Sequence, residues 1–252
     1  MEIFQIIKRN DEKSGKNEKI TIVGGGLSGP VMAMYLSEKG YRVDIYERRP
    51  DMRKENISAG RSINLAVSKR GITALEEIGV FHKISSKLIP MYGRIIHDID
   101  GSTRFLPYGR PDQYINSVSR SELNILLMTE AEKTDRIRIL FQHSCSGMDL
   151  ESGTVFIINE VNGDQVTIQG TPVIAADGSG SAVRESMIES GHISGSFDPL
   201  GHSYKELSIP PDKSDEFQLE PNALHIWPRG KFMLIALPNM DRSFTVTLFL
   251  PN

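Results

Sequence analysis

Gly24-Gly25-Gly26-Leu27-Ser28-Gly29 and the acid Glu47, eighteen positions beyond Gly29, form the most specific chemical pattern in the chain. They match G-x-G-x-x-G followed by a carboxylate about 20 residues on, the arrangement that seats a dinucleotide. Gly24 permits a tight turn, Gly26 lets a pyrophosphate approach the backbone, and Gly29 lets a helix pack closely on the preceding strand. N–H groups at the helix start meet the anion, while Glu47 accepts hydrogen bonds from the adenosine ribose. An acid at that place repels a 2′-phosphate, so the motif selects FAD or NAD over NADP. The bland alternative is a Gly-rich turn near an unrelated acid.

Other chemistries find no support. There is no G-x-S-x-G elbow, no G-x-x-x-x-G-K-[ST] loop and no H-E-x-x-H pair. The histidines (His82, His97, His143, His192, His202, His225) lack ligand-like spacing, so no metal is expected. One cysteine, Cys145, can form neither an internal disulfide nor a thiolate cluster, which points to a reducing compartment, the cytoplasm. With 29 Lys and Arg against 32 Asp and Glu, the net charge is −3 and no basic stripe faces a nucleic acid. No window approaches the ~18 apolar residues of a membrane span, so no membrane contact is expected from these residues. The first 18 residues read as a floppy arm without the features of a signal peptide.

The elements that must position the motif are legible around it. Lys19 to Val23 reads as a strand, Pro30 to Lys39 as a helix ended by Gly40, and Tyr41 to Glu47 as a strand with Val43 and Ile45 on one face. Ser68 caps a helix through Leu75 to Ile78. A hairpin runs from Arg94 to Ile99, through a two-residue Asp100-Gly101 turn, to Thr103 to Leu106. Ser119 and Glu122 form a capping box. Strands follow at Arg136 to Phe141, Thr154 to Val161, Val166 to Gln169 and Val173 to Ala176, then a short helix carrying Val183 and Arg184. Beyond about residue 200 the pattern is antiparallel β: Ser203 to Ile209, Leu224 to Trp227, Lys231 to Leu237 and Ser243 to Leu250. A parallel domain interrupted and followed by antiparallel segments predicts two interwoven domains. The stop at Pro251-Asn252, just after an apolar strand, predicts a piece of a longer protein whose C-terminal part, with any membrane anchor, lies beyond.

The segments GRSINLAVSKRG (Gly60 to Gly71), PYG with QYINSVSR (Pro107 to Arg120) and LHIWPRGKFMLIALPNMDRSFTVTLFLP (Leu224 to Pro251), with Asp177-Gly178, resemble the class A FAD-dependent aromatic hydroxylases, and within them those acting on L-kynurenine. The resemblance implies an α/β fold: a Rossmann-like FAD-binding domain of the para-hydroxybenzoate hydroxylase type at 17–75 and 109–190, and an antiparallel substrate domain at 76–108 and 191–252. It implies bound FAD on Gly24, Gly26, Ser28, Gly29, Glu47, Arg49, Ala66, Arg120, Cys145 and Asp177. NADPH and O2 would be co-substrates, and the protein a monomer or homodimer. Arg94 and Tyr108 would hold the substrate carboxylate, for which a guanidinium fork is suited. Leu224, Met233, Ile235 and Leu237 would wall the ring, the last three sharing one strand face. No side chain is implied as a catalytic nucleophile. Cys145 as a small buried hydrophobe, Arg120 as a solvated helix charge, Arg94 and Tyr108 as merely exposed hairpin residues and the four apolar residues as core packing remain the alternatives. So do a hydroxylase of another aromatic carboxylate, a flavin-binding module without turnover and a nicotinamide dehydrogenase.

Overall fold

The structure, a computed structural model, describes residues 18–54 and 64–252. The expected N-terminal arm and Gly60 to Ile63 of the GRSINLA segment lie outside the described residues.

In chain order the first elements are β1 (Lys19–Val23), α1 (Ser28–Glu38), β2 (Arg42–Glu47), β3 (Asn64–Val67), α2 (Lys69–Glu77), α3 (Phe81–Ile84), β4 (Ile89–Met91), β5 (Gly93–His97), β6 (Thr103–Pro107), β7 (Ile115–Ser119) and α4 (Arg120–Ala131). The rest are β8 (Ile137–Phe141), β9 (His143–Asp149), β10 (Thr154–Asn159), β11 (Gln165–Ile168), β12 (Val173–Ala175), α5 (Ala182–Glu189), β13 (His202–Ile209), β14 (Ala223–Arg229), β15 (Phe232–Pro238) and β16 (Phe244–Pro251). Two compact units share them, one from residues 18–54 and 127–195, the other from 64–126 and 196–252.

The first unit is built on a parallel sheet in the order β12-β1-β2-β8. From its second residue on, each of β1 and β2 is buried throughout, as parallel strands covered on both faces must be. Asp44, within β2, is buried between Lys19 at 2.7 Å and Arg138 at 2.6 Å. Burial raises its pKa, but those two cations outweigh burial and hold the carboxyl below its ordinary range. The helix α1 starts at Ser28, two residues earlier than expected, and Gly40, at φ +94°, takes the left-handed turn that ends it. A second, antiparallel sheet, β11-β10-β9, joins Val155 and Ile157 of β10 to Val23, Tyr46 and Val183 in one core.

The second unit is built on a six-stranded sheet, β13-β16-β15-β14-β5-β6, in which β14 and β5 are parallel and all other neighbours antiparallel. Its core includes Ala236, Phe244 and Val246 with Trp227, Leu234, Phe217 and Leu219. The β5–β6 hairpin forms where expected, but its turn differs. Asp98 N–H bonds Ser102 O at 2.9 Å and Gly101 N–H bonds Asp98 O at 3.2 Å, with Gly101 at φ +87°. The loop is therefore Ile99-Asp100-Gly101, three residues ending in a left-handed glycine, rather than a two-residue Asp-Gly turn. A small sheet, β3-β7-β4, completes the unit. Buried Asn64 ties it to the end of β15, its Nδ2 donating to Ser117 Oγ at 3.0 Å and Pro238 O at 3.0 Å.

Candidate functional site

The Gly-rich turn joins β1 to α1, and its glycines differ in what surrounds them. A Cβ on Gly24 would stand 2.4 Å from Ala176 O and 2.8 Å from Asp177 Cα, and one on Gly29 would stand 2.0 Å from Gly24 O. Both positions therefore exclude a side chain by contact with the chain's own backbone. A Cβ on Gly26 would meet nothing within 4 Å, leaving open space above a turn whose helix has neither a side-chain cap nor an acidic first turn. That is the room and the electrostatic field an anion needs.

Glu47, at the end of β2 and 5% exposed, faces this turn. Its Oε2 accepts Gly25 N–H at 2.7 Å, and its Oε1 accepts both the backbone N–H and Nε of Arg49 at 2.8 Å. Burial alone would raise its pKa; the Arg49 guanidinium and the backbone donors outweigh it and keep the carboxyl below its usual range. The carboxylate is thus ionised and fixed in orientation. Asp177 reaches the same turn through its backbone, while its Oδ2 accepts Ala182 N–H at 3.0 Å and starts α5.

Cys145 lies on β9 and packs against the Val23–Tyr46–Val155–Ile157–Val183 core, its thiol directed at Gly147 O at 3.4 Å. Burial pushes its pKa up, which keeps it a thiol. Ser28 opens α1. Ala66 and Arg120 belong to the second unit, Ala66 on β3 opposite Ser117 and Arg120 as the exposed first residue of α4.

In the second unit the expected substrate residues come together on one sheet face. Directly opposed residues on neighbouring strands share a face. Arg94 of β5 opposes Leu224 of β14 and Leu106 of β6; Ile226 opposes Ile235, and Pro228 opposes Met233. Alternation along β14 and β15 then puts Arg94, Leu224, Met233, Ile235 and Leu237 on the same side. Tyr108 continues β6 by one rung, its N–H bonding Tyr92 O at 3.1 Å, and the Arg94 guanidinium carbon stands 5.3 Å from its ring centroid. Arg94 is exposed, and its guanidinium makes no hydrogen bond or ion pair among the described residues. Burial raises the Tyr108 pKa despite the Arg94 charge, so the phenol remains a donor at neutral pH.

The same register shows residues that sequence reading missed. Phe249 of β16 opposes Met233, and Tyr204 of β13 opposes Phe249, with ring centroids 6.5 Å apart. Their signal, period-two alternation on β13 and β16, was present in the sequence; which strands are neighbours was not. Glu206 opposes Thr247 on this face and lines a cleft of about 400 Å³ with Asn64, Ser117, Asn239 and Thr245. Its Oε2 is buried without a hydrogen-bond partner among the described residues. Among those residues, no group of three or more His, Cys, Asp or Glu could hold a metal ion, and no helix is long and apolar enough to cross a membrane.

The residues present therefore fit a flavin dinucleotide at the first unit: open space at Gly26, an uncapped helix start and a fixed, ionised acid. Comparisons with known proteins agree. The kynurenine 3-monooxygenase of Myxococcus xanthus is 45% identical over 237 residues, covering 94% of this chain and 51% of that protein. The kynurenine 3-monooxygenase of Anopheles gambiae is 42% identical, covering 92% of this chain and 48% of that protein. The chain spans about half the length of these curated relatives. Among solved structures, p-nitrophenol 4-monooxygenase PnpA from Pseudomonas putida superposes with a TM-score of 0.73 at 15% identity, over 93% of this chain and 58% of its own. The flavin-dependent monooxygenase PieE, solved with FAD and substrate, does so at 0.74 and 16% identity, over 94% of this chain and 43% of its own. These structural likenesses concern the fold. Residues 17–203, well over half of the chain, match the model of the FAD binding domain, and the chain belongs to that family.

Proposed function

We propose that the chain is the cofactor-holding and ring-binding part of an FAD-dependent, NADPH-consuming monooxygenase that converts L-kynurenine to 3-hydroxy-L-kynurenine. The observation that carries this reading is Arg94: a guanidinium with unengaged donors, resting on the Tyr108 ring at the border of an apolar sheet face. An aromatic amino acid presents the matching groups, a carboxylate beside an apolar ring. The name shared by relatives matching 92 to 94% of the chain supports kynurenine in particular.

In this reading the Gly26 turn and α1 hold the pyrophosphate, and Glu47, oriented by Arg49 and Gly25, holds the adenosine ribose. FAD, when bound, supplies the oxygen activation that no side chain here offers. Arg94 takes the substrate carboxylate through its planar fork and Tyr108 adds a phenolic donor, which fixes the direction in which the ring points. Leu224, Met233, Ile235, Leu237 and Phe249 give that ring an apolar bed and exclude water from it. The lone cysteine supports a reducing, cytoplasmic setting.

The test follows NADPH oxidation by the FAD-loaded full-length protein that contains this chain, with and without L-kynurenine, with mass analysis of the product. Stimulation by kynurenine with gain of one oxygen atom is expected. Flavin reduction indifferent to kynurenine, with no hydroxylated product, would reject the reading.

A further inference from the structure

Behind the Arg94 face, two histidines cross-link the strands that carry it. His97 ends β5 and His225 lies on β14 beside Leu224, and their Nε2 and Nδ1 atoms are 2.8 Å apart. The other nitrogen of His225, Nε2, is 2.8 Å from Glu220 O. A carbonyl can only accept, so His225 carries its proton on Nε2 and offers a bare lone pair at Nδ1. His97 must then donate from Nε2. The relay runs one way, His97 to His225 to Glu220, with one proton per ring.

The surroundings hold the pair in that neutral form. His225 is 1% exposed and meets the Phe244 ring edge-on, with centroids 5.6 Å apart. His97 stacks on Trp227 at 4.2 Å and 15°. Arg229, on the same strand as His225, donates to His97 O at 2.8 Å, placing a cation beside His97. Glu220 contributes its carbonyl to the relay and, with its negative charge, opposes burial at His225 without outweighing it, while Asp98, next after His97, is engaged by Arg104 at 2.9 Å. Burial lowers the pKa of both rings. A first proton taken by His97 at Nδ1 leaves its Nε2–H donating to His225, so the contact survives it; a second, at Nδ1 of His225, would point at the His97 N–H, and the 2.8 Å contact could not persist.

The seam that this pair closes is the parallel junction of the sheet, β5 against β14, where Arg94 stands opposite Leu224. We infer that His97 and His225 are positioning residues for Arg94: the relay pins β5 to β14 and sets the guanidinium against the apolar face, and charging of both rings releases it. This rests on the substrate reading above. The sign is that of a buried neutral base whose folded pKa is lowered: the pinned state is complete above the free histidine value of 6.5 and is lost as pH falls through the lower value at which His225 itself charges.

Trp227 is the single tryptophan of the chain and stacks on His97, so its fluorescence reports the pair directly, since an imidazolium quenches indole. The experiment uses FAD-loaded protein and titrates Trp227 emission, kynurenine affinity and FAD affinity between about pH 7.5 and 5. Expected are a fall in emission as His97 charges and, towards the acid end of the range as His225 charges, an about 10- to 100-fold loss of kynurenine affinity, with FAD affinity nearly constant. His225→Gln, whose amide can accept from His97 and donate to Glu220 O without titrating, should flatten the kynurenine profile. His97→Gln should do the same and serves if the buried variant does not fold. If Trp227 titrates while kynurenine affinity stays level, or if the Gln variants keep the wild-type profile, the positioning role is overturned. If kynurenine fails to bind at any pH while Trp227 titrates normally, the substrate reading has failed first and takes this role with it.

Discussion

The Arg94 guanidinium carbon stands 5.3 Å from the centroid of the Tyr108 ring. Arg94 and Tyr108 lie on the two arms of one hairpin, with Tyr108 one rung beyond the Gly93–Pro107 pair and hence on the face that Arg94 shares. The ring supports the cation from one side, a contact worth about 0.5 to 1 kcal/mol at exposed sites, and leaves the fork able to bind.

That geometry separates two roles of Tyr108. Arg94→Ala should weaken kynurenine by about 2 to 5 kcal/mol, the loss seen when one partner of a desolvated charge pair is removed. Tyr108→Phe keeps the ring and should cost about 0.5 to 1.5 kcal/mol, whereas Tyr108→Leu removes the platform as well and should cost more. Calorimetry with kynurenine and with its decarboxylated analogue checks the assignment: the analogue should bind weakly and lose little further affinity on Arg94→Ala. Equal losses for both ligands would mean a structural effect.

The glycines of the turn should fail in two different ways. Gly26→Val places its side chain in open space, so the apoprotein should melt at nearly the wild-type temperature while FAD binding is abolished. Gly29→Ala drives a methyl group onto Gly24 O and should destabilise the apoprotein itself. Thermal unfolding together with flavin stoichiometry distinguishes them; a Gly26→Val protein that retains full FAD would dismiss the anion site.

Glu47 ties the turn to Arg49 even without a cofactor. Glu47→Ala should therefore cost the apoprotein about 1 to 3 kcal/mol as well as weakening FAD. Since its folded pKa is depressed, its contribution is present in full above 4.5 and disappears as pH falls through the lower folded value. Urea unfolding of wild type and variant across that acid range should show the two stability curves converging. Parallel curves would mean that the carboxylate does not titrate as the geometry requires.

Glu206 carries a buried oxygen without a donor among the described residues, and an unsatisfied buried acceptor costs about 1 to 3 kcal/mol. Glu206→Gln removes the charge at nearly constant shape and should raise the apoprotein melting temperature. A lowered melting temperature would show that the carboxylate is a net contributor to stability.

Much of this was legible in the sequence because strong local rules govern it. The β1–turn–α1–β2 unit reads from a Gly pattern, a first-turn Pro30 and a terminal Gly40, and the last four strands read from alternation. The strands β3, β4, β7 and β9 were not anticipated. On β7 the buried residues are Asn116, Ser117 and Val118, so polarity does not mark the inward face. Pro90 sits inside β4 and argues against a strand, although an edge position tolerates it. The β9 segment His143–Asp149 is mostly polar and pairs with β10 through an irregular register at Phe156/Ile157, which erases its period. At the site, residue types were readable, but the grouping of Arg94 with Met233, Ile235 and Phe249 depends on strand order. Local pattern does not encode strand order.

The interleaving of the two units bears on how the chain is made. The central strand β1 needs β12 as a neighbour, and β5 needs β14, each synthesised long after its partner. A ribosome thus releases the β5–β6 hairpin, exposed Phe105 included, well before β14 exists to pair with it. Such non-local pairing slows folding and prolongs the time during which an open strand edge faces the crowded cell. Variants that weaken the β5–β14 junction should therefore appear first as poor yield of native protein, before any change in FAD binding can be measured.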